Sequence, residues 1–433
     1  MEKLAKSKNL FHDRNMKKFF IKGGSSLSGE VEIQGYKNSA GAILAAALLT
    51  KEPSVIDNLP KCADILNEIE ILEKIGAKVI WLDGKKIKII PKNIDPEKIP
   101  FDLFEKMRIS VLLIPPLLHH FKKIKVPHPG GDKIGLRPIT THLEAFEDFG
   151  IKVEERGRFY CFEAPKKLRG KRIVLKEFSV TATENAMMLA AVAEGKTKIE
   201  IAAAEPQVQD LGRFLEKMGT RTKGLGTHTI EIEGRKQLRG GTFKISPDPI
   251  EAVTFFIAFA ISKGRGKIKN VNPDHLTIFL RKMKEVGVNF KVKRREILIK
   301  KSENLRATKI QTLPYPGFPT DFQPMTSVLL TQAQGKSLIH EPLYENRFQH
   351  LHELKKMGAD IEITDPHRAL IFGKTELFGN KINSTDIRSG AALVLAALAA
   401  KGESIVEGIE QIERGYENFD EKLRKLGAKI ERV

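Results

Sequence analysis

The sequence predicts a mixed α/β protein built from six similar units, and three observations lead to this prediction. A short signature of apolar, charged and glycine residues occurs six times. A second segment, rich in Ala and Leu, recurs in phase with it. The chain has 433 residues, of which 41% are hydrophobic, and this is enough for the cores of two or three domains.

The signature consists of an apolar residue, two mostly charged residues, a second apolar residue and a glycine, followed by a strand-like run. It predicts an amphipathic helix that ends at a glycine with positive φ and leads into a strand of period two. One copy would be ordinary in any α/β protein, but six evenly spaced copies indicate an internal repeat. The glycines, which lie 68 to 74 residues apart, are Gly76, Gly150, Gly219, Gly287, Gly358 and Gly427.

The second repeated segment is apolar nearly all round, which predicts a helix buried inside a domain. A charged residue stands near the start of each copy. If equivalent units are arranged alike, their helix starts converge, and helix N-termini bind anions through free N–H groups and the helix dipole. Lys37, Arg108, Asp321 and Arg388 are therefore predicted to lie where a polyanionic ligand binds.

The net charge of +19 has two interpretations. A cationic surface is typical of nucleic-acid binding, because bound cations release counterions from the phosphates. Here Lys and Arg are spread along the chain with Asp and Glu between them. A lysine-rich surface around a site for small anions is the preferred interpretation, with no specific nucleic-acid partner.

The remaining composition favours a protein of the cytoplasm. The longest apolar runs, residues 40–49 and 391–400, are shorter than the roughly 20 residues that span a bilayer, so no membrane association is expected. Residues 1–18 are interpreted as a basic extension before a first strand at residues 19–22. The two cysteines, Cys62 and Cys161, form no disulfide framework. Two close histidine pairs are expected to be structural, so no metal site is predicted; they are His119 with His120 and His350 with His352.

Two loops are candidates for binding and chemistry. The glycine- and serine-rich residues 23–29 lead to Lys37 and Asn38 at a buried-helix start. Residues 129–138 contain three glycines together with Asp132 and Arg137, a composition typical of a mobile loop that brings a carboxyl group over a bound anion. Ordinary surface turns are the alternative for both loops.

Two further groups of charged residues follow in the second half of the chain. Residues 318–321 place the carboxylate of Asp321 at a helix start, where simple capping is the alternative. Arg388 and Arg414 are arginines able to hold a phosphate or carboxylate through paired hydrogen bonds, and exposed salt bridges are their alternative.

In this order, these segments resemble the enolpyruvyl transferase family, in particular its members that act on UDP-N-acetylglucosamine. The resemblance runs from residue 19 to residue 433. The matching stretches are GEVEIQGYKN (29–38), KMRIS (106–110), PGGDKIGLRP (129–138), ATEN (182–185), FPTD (318–321), YENRF (344–348), TDIR (385–388) and RGY (414–416).

The resemblance implies a fold of two similar α/β domains, each made of three βαβαββ-type units in an inside-out α/β barrel, with the active site in the cleft between them. This agrees with the six signatures. The boundaries implied here are an inserted domain of residues 37–246 and a discontinuous domain of residues 1–36 with 247–433.

The resemblance also implies the activity, which needs no cofactor. The enolpyruvyl group of phosphoenolpyruvate is transferred to the 3′-hydroxyl of UDP-N-acetylglucosamine by addition and elimination, phosphate is released, and peptidoglycan precursor synthesis begins. The implied catalytic residues are Asp132, Asp321, Lys37 and Arg414. Those implied to bind phosphoenolpyruvate are Lys37, Asn38, Arg137, Arg388 and Arg414. Those implied to bind the nucleotide sugar are Asn38, Arg108, Arg137, Pro138, Ile139, Ser179, Val180, Asp321 and Leu343.

The chain departs from the family pattern at a few positions. Asp132 stands where most members have a cysteine that fosfomycin alkylates, so insensitivity to fosfomycin is expected. Thr140 stands where an aspartate commonly contacts uracil, and Glu105 and Glu177 stand where some members have lysine. These changes bear on affinity for the nucleotide sugar more than on the chemistry.

Two other functions stay open from the sequence. One is the sister reaction on shikimate 3-phosphate, which uses the same fold and the same phosphoenolpyruvate. The other is a non-catalytic repeat protein that binds a polyanion through its positive charge. The joint presence of Lys37, Asp132, Arg137, Asp321 and Arg414 speaks against the second alternative.

Overall fold

The structure, a computed structural model, describes residues 17–433. Its strands are β1 (Lys18–Lys22), β2 (Ser28–Glu32), β3 (Ser54–Asp57), β4 (Lys78–Asp83), β5 (Lys86–Ile90), β6 (Lys123–Pro127), β7 (Lys152–Arg156), β8 (Phe159–Glu163), β9 (Arg172–Val174), β10 (Lys196–Glu200), β11 (Arg221–Lys223), β12 (Thr229–Glu233), β13 (Thr242–Lys244), β14 (Arg265–Lys269), β15 (Phe290–Lys293), β16 (Glu296–Ile299), β17 (Lys309–Gln311), β18 (Gly335–His340), β19 (Asp360–Asp365), β20 (Arg368–Gly373), β21 (Lys381–Asn383), β22 (Glu403–Glu407) and β23 (Lys429–Arg432).

The α-helices alternate with these strands. They are α1 (Lys37–Ala46), α2 (Ala63–Lys74), α3 (Phe101–Phe104), α4 (Ile114–Phe121), α5 (Thr140–Asp148), α6 (Val180–Val192), α7 (Pro206–Met218), α8 (Pro249–Ile261), α9 (Thr277–Val286), α10 (Gln323–Thr331), α11 (Gln349–Lys356), α12 (Ile387–Ala399), α13 (Ile409–Glu413) and α14 (Phe419–Lys425). Short 3₁₀ helices cover Ala47–Leu49, Pro96–Lys98, Arg108–Leu113, Pro273–Leu276 and Thr320–Phe322. Within residues 17–433, no helix is both long and apolar enough to cross a membrane.

The predicted repeat is confirmed at all six signatures. Helices α2, α5, α7, α9, α11 and α14 each end at or just before the signature glycine, and β4, β7, β11, β15, β19 and β23 follow. The six glycines have φ values from +80° to +116°. This left-handed conformation is inexpensive only for glycine, and it turns the chain from the helix into the strand.

The Ala- and Leu-rich segments form the buried helices, as predicted. Every residue of α8 is buried, and α8, α10 and α12 pack against one another. Helix α6 packs similarly between α4, α5 and α7. Small side chains let these helices approach closely, and the sheets and covering helices enclose them.

Two of the predicted helix starts are different in the structure. Arg108 and Asp321 lie in the 3₁₀ helices Arg108–Leu113 and Thr320–Phe322, before α4 and α10. Pro115 and Pro324 stand in the first turn of those α-helices, where proline fits because its missing N–H would have no helical partner. Helices α4 and α10 therefore begin at Ile114 and Gln323, directly after the 3₁₀ helices and one residue before these prolines.

The strands form six sheets that fall into two sets. Strands β1 and β2 pair with β22, β23 and β14, whereas β3 to β13 pair only among themselves. The chain passes between the sets at two adjacent points, since the Tyr36 N–H donates to the Ser246 carbonyl at 2.8 Å and Gly35 bridges to Pro247. The division into residues 37–246 and the remainder stays a prediction, and this pairing supports it. The first strand begins at Lys18, and residues 1–16 of the predicted extension lie outside the described residues.

Candidate active site

A cavity of about 770 Å³ lies where the two sets of strands and helices meet. It brings together Lys37, Asn38, Arg108, Asp132, Arg137, Pro138, Ser179, Val180, Asp321, Leu343, Arg388 and Arg414, which are the sequence-predicted site residues with one exception. The exception is Ile139, whose side chain is buried just before α5 and does not line the cavity. Residues from distant parts of the chain therefore share one cavity.

One side of the cavity is a charge cluster that we call the loop cluster, formed by Lys37, Asp64, Asp132 and Arg414. The Lys37 ammonium lies 2.6 Å from Asp64 Oδ2. Arg414 Nε donates to Asp64 Oδ1 at 3.0 Å, and Arg414 Nη1 donates to Asp132 Oδ1 at 2.5 Å. Asp64 thus holds the two cations beside each other, and Arg414 joins Asp64 to the carboxylate of the loop.

Asp64 and Arg414 of the loop cluster stabilise each other's charged forms. Burial raises the pKa of Asp64, but Lys37 and Arg414 outweigh burial and leave the pKa below its usual value. Burial lowers the pKa of Arg414, yet Asp132 and Asp64 more than compensate and the pKa is raised. Two cations and two carboxylates therefore balance each other, and any further anion must compete with Asp132 for Arg414.

The other side of the cavity is a second charge cluster, the helix-cap cluster, formed by Asp321, Arg347, Asp386 and Arg388. Arg347 Nη2 donates to Asp321 Oδ1 at 2.7 Å, and its Nη1 lies 3.5 Å from Asp386 Oδ1. Asp386 caps α12 by accepting from the N–H groups of Arg388 and Ser389 at 2.9 and 3.0 Å. Arg388 Nε lies 3.6 Å from Asp321 Oδ2.

The helix-cap cluster holds Asp321 as an anion that faces the cavity. Burial raises the pKa of Asp321, but Arg388 and Arg347 together lower it by more. The pKa is therefore below its usual value. Arg388 places its guanidinium 5.3 Å from the centre of the Tyr416 ring, and its Nη1 has no hydrogen-bond partner within residues 17–433. A carboxylate held by two arginines can accept a proton, and Arg388 keeps a donor free for an anion.

The loop of residues 129–138, which carries Asp132 of the loop cluster, forms part of the cavity wall. Arg108 donates from Nη1 to the Arg137 carbonyl at 2.5 Å and from Nη2 to the Pro138 carbonyl at 2.9 Å. Burial and the nearby Arg137 lower the pKa of Arg108 to about 10, so it stays charged. Beside this end of the cavity, the Thr141 hydroxyl donates to Glu177 at 3.0 Å.

A third group of lining residues has polar atoms without partners among the described residues. These atoms are Glu184 Oε1, Glu205 Oε2, Gln207 Oε1 and His275 Nδ1. Burial raises the pKa of Glu184 and of Glu205, and burial lowers the pKa of His275 to about 4. Burial therefore disfavours charge at these residues, and their unpartnered atoms offer hydrogen bonds that the described part of the protein does not use.

Asp64, Arg347 and Asp386 take central places that sequence reasoning did not assign to them. Asp64 lies in the first turn of α2, where an acidic residue is common because it favours the helix dipole. Behind it, Glu68 is fully buried without a hydrogen-bond partner among residues 17–433. Arg347 and Asp386 stood in the matched stretches YENRF and TDIR, and these stretches were the available signal.

The sequence predicts no metal site, because both close histidine pairs are expected to be structural. Among residues 17–433, no three His, Cys, Asp or Glu side chains are grouped so that they could hold a metal ion. His119 and His120 lie near each other, with ring centres 4.8 Å apart, and His120 contacts the Leu48 carbonyl at 2.7 Å. Burial lowers the pKa of both, to about 4 for His119.

Comparison with known proteins adds independent information. The chain is 44% identical over 418 residues to UDP-N-acetylglucosamine 1-carboxyvinyltransferase 1 of Carboxydothermus hydrogenoformans, covering 96% of this chain and 99% of that protein. It is 44% identical to UDP-N-acetylglucosamine 1-carboxyvinyltransferase of Halothermothrix orenii, covering 96% and 100%.

Solved structures show the same fold. The enolpyruvyl transferase NikO from Streptomyces tendae superposes with a TM-score of 0.88 at 25% identity, over 96% of this chain and 99% of that one. EPSP synthase from Acinetobacter baumannii gives a TM-score of 0.75 at 17% identity, over 97% and 100%. The family model of EPSP synthase (3-phosphoshikimate 1-carboxyvinyltransferase) matches residues 21–423. The chain therefore belongs to the family of EPSP synthase and related enolpyruvyl transferases.

Proposed function

We propose that the protein transfers the enolpyruvyl group of phosphoenolpyruvate to the 3′-hydroxyl of UDP-N-acetylglucosamine and releases phosphate. The observation that carries this proposal is the pair of charge clusters that share one cavity. One cluster presents cations and a loop carboxyl group, and the other presents a carboxylate held by arginines. Addition of a hydroxyl across a vinyl phosphate requires a group that gives a proton, a group that accepts a proton, and cations that bind the anionic substrate.

In the addition step, the sugar hydroxyl oxygen bonds to the phosphate-bearing carbon of phosphoenolpyruvate. Asp321 accepts the hydroxyl proton, and Asp132, in its protonated form, delivers a proton to the methylene carbon. Elimination then removes one proton from the new methyl group and breaks the bond to phosphate, which restores the double bond. Lys37, Arg137, Arg388 and Arg414 neutralise the carboxylate and phosphate during both steps, with the preorganised charges that most lower such barriers.

The nucleotide sugar is assigned to the remaining walls. Asn38, Arg108, Pro138, Ser179, Val180 and Leu343 line the part of the cavity beside the loop. The group of Glu184, Glu205 and Gln207 suits sugar hydroxyl and acetamido groups, because it offers buried oxygen atoms without hydrogen-bond partners among the described residues. The predicted contact of Ile139 with the nucleotide sugar stays a prediction.

We also propose the setting of this reaction. The reaction begins peptidoglycan precursor synthesis, as the resemblance of the sequence implies, and hence serves cell-wall growth, cell shape and division. Free thiols at Cys62 and Cys161 are compatible with the reducing cytoplasm. The inserted domain of residues 37–246 would close against the remainder, and Asp132 in place of a thiol would make the enzyme insensitive to fosfomycin.

One assay separates the proposed function from both alternatives. Phosphate release from phosphoenolpyruvate is measured with UDP-N-acetylglucosamine, with shikimate 3-phosphate and with neither, and the product is identified by mass spectrometry. Release that depends on UDP-N-acetylglucosamine, with a product heavier by one enolpyruvyl group, supports the proposal. Release only with shikimate 3-phosphate supports the sister reaction. No release, together with tight polyanion binding, supports the non-catalytic protein.

A further inference from the structure

The tip of the loop of residues 129–138 is held by a segment from the other set of strands and helices. Glu345 Oε1 accepts from the Leu136 N–H at 2.6 Å. The Asn346 N–H donates to the Ile134 carbonyl at 3.1 Å, and Asn346 Nδ2 donates to the Lys133 carbonyl at 2.7 Å. All three loop partners are backbone groups, so the contact depends on the path of the loop and not on its side chains.

The loop tip is also shaped to receive Glu345. A Cβ atom at Gly135 would lie 2.5 Å from Glu345 Oε2, so a side chain at this position would displace the carboxylate. The Leu136 N–H lowers the pKa of Glu345, which keeps the carboxylate ionised as the stronger acceptor. Close approach between the loop backbone and Glu345 therefore requires glycine at residue 135.

The loop is held at three places, and only one of them lies outside the cavity. Arg108 holds its C-terminal end, and Arg414 binds Asp132 inside the cavity. Glu345 and Asn346 are exposed and do not line the cavity. They therefore touch neither substrate in the proposed function.

We propose that Glu345 and Asn346 are positioning residues that latch the loop across the cleft and thereby hold Asp132 at the reacting carbon. The inference rests on the proposed function for the role of Asp132, while the latch itself rests on the three hydrogen bonds. Without the latch the loop spends more time open, and fewer encounters find Asp132 in place. Each lost hydrogen bond changes such an equilibrium by roughly fivefold.

The loop contains a built-in reporter for this test. Its basic residues are Lys133 and Arg137, and trypsin does not cleave after Arg137 because Pro138 follows. Cleavage within the loop therefore occurs at the bond between Lys133 and Ile134, whose carbonyl accepts from Asn346. Limited trypsin digestion, read by mass spectrometry of the fragment that begins at Ile134, measures how often the latch is open.

The variants are Glu345→Ala, Asn346→Ala and the double variant, with Glu345→Gln as the conservative variant that keeps an acceptor oxygen. Glu362→Ala, at an exposed acid on β19, is the matched control. We expect loop cleavage to be at least fivefold faster in the double variant, unchanged in the control and intermediate in Glu345→Gln. The thermal midpoint should stay unchanged, because both side chains are exposed.

The second readout is turnover. We expect kcat of the double variant to fall by roughly 5–50-fold while KM for UDP-N-acetylglucosamine stays within about twofold. Loop cleavage at the wild-type rate would overturn the latch, and faster cleavage with unchanged kcat would overturn its role in positioning Asp132. If the wild-type protein shows no turnover, the proposed function is rejected. The digestion experiment would still decide whether the latch exists.

Discussion

The two charge clusters of the cleft differ in how they are assembled. The loop cluster joins Asp132 and Arg414, which are 282 residues apart, and includes a carboxylate on a glycine-rich loop. The helix-cap cluster draws Asp321, Arg347, Asp386 and Arg388 from residues 321–388, and three of these side chains are almost completely buried. Asp132, the proposed proton donor, thus lies on a loop, whereas Asp321, the proposed base, is held by arginines that are buried in the core.

Because of this difference, we expect mutations in the two clusters to impair different properties of the protein. Removing a member of the loop cluster should reduce turnover and leave the fold intact. Removing the buried arginine of the helix-cap cluster should reduce the free energy of unfolding first. The following predictions test that contrast.

The largest effect is expected at Asp132. Asp132→Ala removes the group proposed to protonate carbon, and a positioned general acid contributes about 10²–10⁴-fold to rate, so kcat should fall by that factor. Asp132→Cys should stay active and become open to covalent inactivation by fosfomycin, whereas wild type should not. Time-dependent inactivation of the two proteins, measured side by side, provides the check. Covalent inactivation of wild type, or normal turnover by Asp132→Ala, would show that Asp132 is not the loop acid.

The second prediction compares one arginine from each cluster. Arg347→Met leaves Asp386 without its buried cationic partner, and breaking a buried pair in this way costs about 3–5 kcal/mol of unfolding free energy. Arg414→Met is the matched change, and there Asp64 keeps Lys37 as partner, so the fold should be little affected. Turnover of Arg414→Met should fall by ~2–4 kcal/mol of transition-state stabilisation.

Urea unfolding and steady-state kinetics of both arginine variants measure this contrast. Equal losses of unfolding free energy in the two proteins would contradict the expected difference in stability between the loop cluster and the helix-cap cluster. Activity of Arg414→Met within a few-fold of wild type would reject its role in binding the anion.

The smallest expected effect is on the pH dependence of stability, and its sign differs between the clusters. Burial raises the pKa of Asp386, but Arg347 and the hydrogen bonds from Ser389 together outweigh burial and lower the pKa. This contribution to stability is therefore present above pH ~3.9 and is lost as pH falls. Burial and then Asp64 raise the pKa of Glu68 behind the loop cluster. The Glu68 contribution is present below pH ~4.3 and is lost as pH rises.

Thermal midpoints of wild type, Asp386→Asn and Glu68→Gln between about pH 2 and 9 should show these opposite signs. Asp386→Asn should flatten the acid side of the profile, and Glu68→Gln should flatten the neutral-to-alkaline side. Profiles parallel to wild type would mean that neither carboxyl group changes its protonation equilibrium on folding.

Much of the fold follows from local chemistry and was predictable for that reason. Each signature glycine adopts the left-handed conformation of the turn between a helix and a strand. Glycine therefore occurs in the sequence at every repeat of this turn. The cavity residues were identified by matched stretches, because anion binding needs particular side chains. Helix starts were less predictable, since the 3₁₀ turn at Arg108 depends on Pro115 and Pro116 further along.

What escaped prediction were contacts whose local pattern has an ordinary explanation. Asp64 looks like any acid in a first helical turn, and nothing nearby in sequence shows that it meets Lys37 and Arg414. Glu345 and Asn346 bind backbone groups, which every loop sequence offers equally. Such contacts depend on the packing of distant units and leave no local periodicity or spacing.

The two ends of the segment of residues 37–246 lie next to each other, and this arrangement bears on how the segment could be exchanged or extended. Because Tyr36 and Ser246 are hydrogen-bonded to each other, the ends of the long segment lie side by side. A segment whose ends meet spans no gap in its host, so it can be lengthened, exchanged or moved to another chain with little strain at the junction. The two crossings thus join residues 37–246 to the rest of the backbone at neighbouring positions.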